Sequence, residues 1–267
     1  VPIVLDDDRD TLEGIFESVE HAGRFVHPWS FADLWPRINN STSVALSCHL
    51  WQVTAMNWHD LLTLVGGSTL FDSSMLLAGA DPPPAVRRQL SRWVASGRLV
   101  QLRRGLYAVA PPFARAAPDV LAVAARIRRP SYVSLQSALS YHGVIPESVH
   151  SVTSVTTGRP GRYETALGHF TYRHVGPQLF WGYREVGAGG GGSAYVALSE
   201  KALLDLFHLT PGDITASFVR ELRLAPGAVD GKSLLRCARR AARPKLIRAA
   251  AVAVRVLEEA ARGARRL

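Results

Sequence analysis

Cysteine is scarce: Cys48 and Cys237 are the two in 267 residues. They stand far apart without a CxxC or Cys/His spacing, so neither a disulfide framework nor a zinc site is indicated. Lysine is nearly absent too, with Lys201, Lys232 and Lys245 the three, and arginine carries the positive charge instead. Long apolar runs are missing. The longest near the start, Val44 to Met56, is broken by Ser47, His49, Gln52 and Thr54 and is too short to span a bilayer. The opening VPIVLDDDRD is acidic, which argues against a signal peptide. These absences predict a cytoplasmic protein with no membrane partner.

Catalytic patterns are absent as well. There is no HExxH, no paired-carboxylate pattern and no nucleophile elbow, and GAGGGGSA lacks the GK[ST] that a phosphate-binding loop needs, so it reads as a loop between strands. His142, on a helix face ending at Gly143, reads as a packing or capping residue. His169 and His174 are five apart in a predicted strand and point to opposite faces, so they cannot share a metal. Asp205 reads as a buried or capping contact at a domain interface. The expectation is no enzyme: no catalytic residue, no cofactor and no metal.

What is present is positive charge, unevenly spread. The chain has 31 basic and 22 acidic side chains, a net charge of +9 and a pI near 10.1, which favours a polyanionic partner. Residues 1–55 run the other way, with three arginines against eight acidic residues. The first methionine, Met56, precedes a clean domain start. One expectation is that Met56 is the initiator and 1–55 lies upstream of the true gene; the alternative is a real N-terminal extension with a helix over 10–22. Residues 232–267 form an Ala/Arg-rich helical tail with 11 basic and two acidic residues.

The patterning predicts an α+β protein: a winged helix-turn-helix over 56–112, a linker helix over 113–130, a mixed α/β domain over 131–231 and the basic tail. In the first block, NWHDLLTLV is a helix closed by Gly66 and Gly67, and a second helix runs from about Asp72 to Leu77, closed by Gly79. A third is AVRRQLSRWVASG, where Val86, Leu90, Trp93 and Val94 form one apolar stripe. Arg88, Ser91 and Arg92 lie opposite it, flanked by Arg87 and Gln89: side chains that reach base edges when a helix enters the major groove. Two short strands follow, Leu99–Leu102 and Leu106–Val109, joined through Arg103, Arg104 and Gly105. Arginines at such a tip meet phosphates, and Gly105 supplies the positive φ of a tight turn. Tyr107 and Leu102 are expected to seal the hairpin onto the core. Each feature alone also fits a solvated surface; their order within a basic chain favours double-stranded DNA.

Further along, DVLAVAARIRR reads as a helix from Pro118 to Pro130, and SLQSALSYHG as a helix ended by Gly143. Strands are expected at VHSVTSVT, HFTYRHV, FWGYREV and AYVAL, their aromatics Phe170, Tyr172, Phe180, Trp181 and Tyr183 filling a sheet core. SEKALLDLFHL reads as a helix with Ser199 as its N-cap.

The segments RRGLYAV, SLQSALSYHG and SEKALLDL, in this order between Met56 and Leu224, resemble the AbiEi family of bacterial antitoxins, regulators of viral defence systems. The resemblance implies a winged-helix domain that binds the operon's own promoter as a negative autoregulator. It also implies a C-terminal domain responsible for antitoxicity in a type IV, abortive-infection toxin-antitoxin system. The implied functional partner is a nucleotidyltransferase-like toxin, which such an antitoxin need not bind stably. Residues 1–55 lie outside the pattern, and the tail matches it only in position. Two other classes stay open: a transcriptional regulator whose C-terminal domain senses a ligand or dimerises, with no toxin partner, and an RNA-binding or structural module built on the basic tail.

Overall fold

The computed structural model describes residues 56–77, 83–114, 116–147, 151–188 and 192–264. The chain divides into two units, Val1–Gln52 and Val53–Leu267, and every described residue lies in the second. The expectations for residues 1–55 and for Gly79 therefore lie outside the described residues.

Asn57 and Asp60 start the first helix with a capping box: the Asp60 N–H donates to Asn57 Oδ1 (3.0 Å) and the Asn57 N–H to Asp60 Oδ2 (3.2 Å). Helix α1 (Trp58–Val65) ends at Gly66, which takes φ +61°. Strand β1 (Leu70–Asp72), the short helix α2 (Ser74–Leu77), helix α3 (Pro83–Ala95) and the hairpin β2 (Leu99–Arg103) and β3 (Leu106–Val109) follow. The second helix thus starts at Ser74 and not at Asp72, because the residues before it are a strand. Leu70, Phe71 and Asp72 pair with Ala108, Tyr107 and Leu106, making a three-stranded antiparallel sheet in the order β1-β3-β2.

That sheet is buried on both faces. Phe71, Leu99 and Val109 join Leu61, Val86, Leu90 and Trp93 in one core. Leu70, Leu102, Leu106 and Ala108 join a larger core built with the rest of the chain. The alternation follows the two-residue period of a strand. Each fully buried leucine contributes about 1.5–3 kcal/mol relative to exposure, so the hairpin is anchored and not a free arm.

Helix α4 (Val120–Ile127) is capped by Asp119, whose Oδ1 accepts from the Leu121 N–H at 2.7 Å. It begins after Pro118 and stops before Arg128, which is extended, and so is shorter at both ends than expected. Pro130 disfavours helical geometry at the residue before it, which fits the early stop. The helix buries Ala122, Val123, Ala124 and Ile127 in the larger core. Next come β4 (Ser131–Val133), α5 (Leu135–Tyr141), β5 (Ser151–Thr156), β6 (Gly161–Thr165), β7 (Gly168–His174), β8 (Tyr183–Ala188) and β9 (Gly192–Ala197). They form one mixed sheet in the order β6-β7-β5-β4-β9-β8, with β5·β7 and β4·β9 parallel. Phe170 and Tyr172 are buried in it, whereas Phe180, Trp181 and Tyr183 are half-buried. The whole is an α+β protein. Among the described residues no helix is long and apolar enough to cross a membrane.

Helix α6 (Ser199–Leu209) takes Leu198, not Ser199, as its N-cap. The Leu198 N–H donates to the Gly182 carbonyl (2.9 Å) while its own carbonyl accepts from Ala202 (2.8 Å), which fixes the boundary one residue earlier. Helices α7 (Ala216–Glu221), α8 (Gly231–Ala241) and α9 (Pro244–Ala264) complete the chain. The tail is helical as expected, and Leu234, Ala238, Leu246 and Ala250 are buried in the larger core.

One buried polar group ties α6 to the sheet. The Lys201 ammonium pairs with Asp205 one turn on and donates to Tyr132 Oη (2.7 Å). Tyr132 Oη and Ser134 Oγ in turn donate to Asp205 Oδ2 at 2.9 and 2.7 Å. Burial pushes the Asp205 carboxyl up and the Lys201 ammonium down, and their mutual attraction draws each back towards its charged form. Burial and the Asp205 charge push the Tyr132 phenol up, keeping it a donor. Removing one partner of such a pair leaves a buried charge alone, so Lys201→Met is expected to cost about 3–5 kcal/mol in urea unfolding. Lys201→Met combined with Asp205→Leu should recover much of that loss; equal losses in the single and double variants would contradict the assignment.

Candidate nucleic-acid interface

Helix α3 opens with Pro83, whose missing N–H costs nothing in a first turn. Val86, Leu90 and Trp93 are buried against Leu61, Val65 and Leu76, with Val94 half-buried beside them. Trp93 meets Trp58 edge to face, ring centroids 5.2 Å apart. The apolar stripe thus turns the opposite side outward: Arg87, Arg88, Ser91 and Arg92 are exposed and Gln89 is half-buried. Positions 87 and 91, and 88 and 92, are one turn apart and share a face. No acidic residue occurs in α3. Ser91 Oγ donates to the Arg87 carbonyl (3.0 Å), and Arg92 reaches Gln89 Oε1 at 3.5 Å, the outer limit of a hydrogen bond. Such a surface can offer guanidinium forks to guanine O6 and N7, and hydroxyl and amide groups to other base edges.

The hairpin treats its two arginines differently. Arg104 is exposed at the turn before Gly105, which takes φ +83°. Arg103 folds back along the sheet: its guanidinium lies 3.5 Å from Asp72 and donates to the carbonyls of Arg104 (2.9 Å) and Arg126 (3.4 Å). Arg126 shares the same carboxylate at 3.5 Å and donates to the Leu70 carbonyl (3.3 Å). Leu102 is buried and Tyr107 stacks on Phe71 at 5.7 Å, so both close the hairpin onto a core.

Other arginines enter the surface without a sequence signal. Arg98 sits over the rings of Trp58 (5.5 Å) and Phe113 (5.8 Å), partners too distant in sequence to suggest it. Arg126, Arg128 and Arg129 read as the last turn of a helix. In the structure they line an open cleft of about 420 Å3 with Arg103, Asp72 and Tyr163. Arg128 donates to Tyr163 Oη (2.7 Å) and lies over the rings of Tyr163 and Tyr172. Burial pushes the Tyr172 phenol up, and it donates to the Ala124 carbonyl at 2.7 Å.

Residues considered for catalysis take structural positions. His142 Nε2 lies 2.7 Å from the Ala197 carbonyl, joining the end of α5 to β9. His174 Nδ1 lies 2.9 Å from the Gly158 carbonyl. Asp205 belongs to the buried group described above. On the tail several cations have local partners: Arg248 pairs with Asp213 (3.1 Å), Arg236 donates to Ser233 Oγ (2.7 Å), and Arg240 lies over Trp181 at 4.3 Å.

The unequal surroundings of Arg103 and Arg104 make a direct prediction. Arg103→Ala removes a part-exposed ion pair and two carbonyl contacts and is expected to lower unfolding stability by about 1 kcal/mol. Arg104→Ala should stay within about 0.5 kcal/mol of the parent. Equal effects in urea titrations would mean that Arg103 does not hold the sheet to α4.

No curated protein matches the chain. Residues 81–110, the stretch that carries α3 and the hairpin, match the family model described as a transcriptional regulator, AbiEi antitoxin.

Proposed function

We propose that residues 56–112 act as a winged helix-turn-helix, with α3 as the recognition helix and the β2–β3 hairpin as the wing, in a regulator that represses its own operon. The observation that carries this reading is the outer face of α3, where Arg87, Arg88, Ser91 and Arg92 stand together on a helix without an acidic residue. The family match over 81–110 falls on the same stretch. Arg88 and Arg92 contact bases, Arg87, Gln89 and Ser91 support them, and Arg104 with Arg103 meets the phosphate backbone. The protein works in the cytoplasm as the antitoxin of a type IV abortive-infection pair, countering a nucleotidyltransferase-like toxin through its C-terminal part. No catalytic residue, metal or cofactor enters this reading.

The test is binding of the full chain to its own upstream duplex and to a shuffled duplex over a salt series. Arg88→Ala or Arg92→Ala should lose about 1–3 kcal/mol on the native sequence and little on the shuffled one. Arg104→Ala should weaken both and lower the slope of log K against log salt by about 0.9. Arg103→Ala should change the slope less, because Asp72 already faces that guanidinium. Equal losses on both duplexes from Arg88→Ala would overturn base reading by α3. Growth rescue on co-expression with the neighbouring toxin gene should survive Arg88→Ala, since repression and antitoxicity belong to different parts of the chain.

A further inference from the structure

The arginine cleft beside the hairpin has more positive charge than its fold requires. Arg103, Arg126, Arg128 and Arg129 face a single lining carboxylate, that of Asp72. The C-terminal dipole of α4 favours a cation near its last turn, which accounts for one arginine and not four. The Nε–H groups of Arg103, Arg126 and Arg128 are shielded from solvent and bond to no described residue. Those donors lie too deep to meet a ligand; it is the exposed Arg129 guanidinium, which pairs with no described residue, that gives the cleft donors for an oxyanion with several acceptors.

Arg129 also lines a second cleft, of about 720 Å3, with Phe180, Tyr183, Glu185 and Tyr195 among its walls. This volume lies within the roughly 300–1,000 Å3 usual for small-molecule sites. Glu185 and Tyr195 are direct partners across β8 and β9, and Tyr183 lies two residues from Glu185 on the same face. Tyr183 is backed by Tyr132, stacked at 4.7 Å, and meets Tyr195 edge to face at 5.6 Å. Tyr195 is 45% exposed. One cleft therefore offers aromatic faces with a carboxylate beside them and the other offers guanidinium groups, with Arg129 common to both.

We propose that these adjoining clefts bind a nucleoside polyphosphate, its phosphates among Arg126, Arg128 and Arg129 and its base against Tyr183 and Tyr195. Glu185 accepts from an exocyclic amino group, which favours adenine, cytosine or guanine over uracil. A single strand presents the same base faces, with phosphodiesters in place of the polyphosphate. The site does not depend on the DNA reading of α3.

The experiment is calorimetric titration of the full chain, without DNA, with ATP, GTP, CTP, UTP, inorganic tripolyphosphate and a ten-nucleotide single strand. At least one amino-bearing triphosphate should bind more tightly than UTP and tripolyphosphate. Tyr195→Ala should weaken that nucleotide about 5- to 150-fold and leave tripolyphosphate unchanged. Arg129→Ala should weaken both about tenfold or more; Arg129 is exposed and its loss leaves the fold intact, which circular dichroism checks. Tighter binding of the single strand than of every free nucleotide, with the same sensitivity to Tyr195→Ala, assigns the site to strand ends or loops. Tripolyphosphate binding as tight as any nucleotide, indifference to Tyr195→Ala, or no binding by any of these probes would overturn the proposal.

Discussion

The rest of the architecture depends on the double burial of the sheet β1-β3-β2. Its residues divide between two cores: Phe71, Leu99 and Val109 point into the core behind α3, while Leu70, Leu102, Leu106 and Ala108 point into the core of the remaining chain. A hairpin with one wet face can swing or slip, but one with two dry faces has its register fixed from both sides. The position of α3 is therefore set by the same strands that hold α4 and the large sheet. Asp72, gripped by Arg103 and Arg126, adds a polar clamp at this joint, modest in energy because the groups are about a third exposed.

The second fixed point is chemical. Lys201, Asp205, Tyr132 and Ser134 bury two charges whose desolvation is offset only when all the hydrogen bonds are made together. Such a group specifies one arrangement of α6 against β4 more than it adds stability. It also explains the tight passage at Gly182. A Cβ there would lie 2.9 Å from Lys201 Cγ, and the backbone takes φ +76°. The tail is drawn into the same core, so its charge rides on a packed helical surface and not on a loose arm.

Much of the first block was legible because its signals are local: the glycine stop of α1, the apolar stripe of α3 and the short hairpin all show within a few residues, whereas the capping box of α1 emerged only from the structure. Strand β1 was not, since three residues cannot display a period and its identity comes from pairing with β3. β4 escaped for the same reason, being a three-residue buried strand whose neighbours are β5 and β9, and β6, Gly161–Thr165, was missed as well, its partner being β7. Asp205 showed as a buried contact, but its partners Tyr132 and Ser134 lie some seventy residues away and carry no pattern that links them to it. The exposed face of α3 followed directly from helical spacing. The fates of Arg103 and Arg126 did not, because their shared partner Asp72 arrives from another strand.

The most direct measurement is methylation interference on the protein's own upstream duplex. Methylation of guanine N7 blocks the major-groove edge that an arginine fork occupies. If α3 reads bases there, modified guanines within a short stretch should be excluded from the bound fraction, and Arg88→Ala or Arg92→Ala should relieve the exclusion at particular guanines. Bound and free fractions with the same methylation pattern, while the protein still prefers its own sequence, would contradict the account.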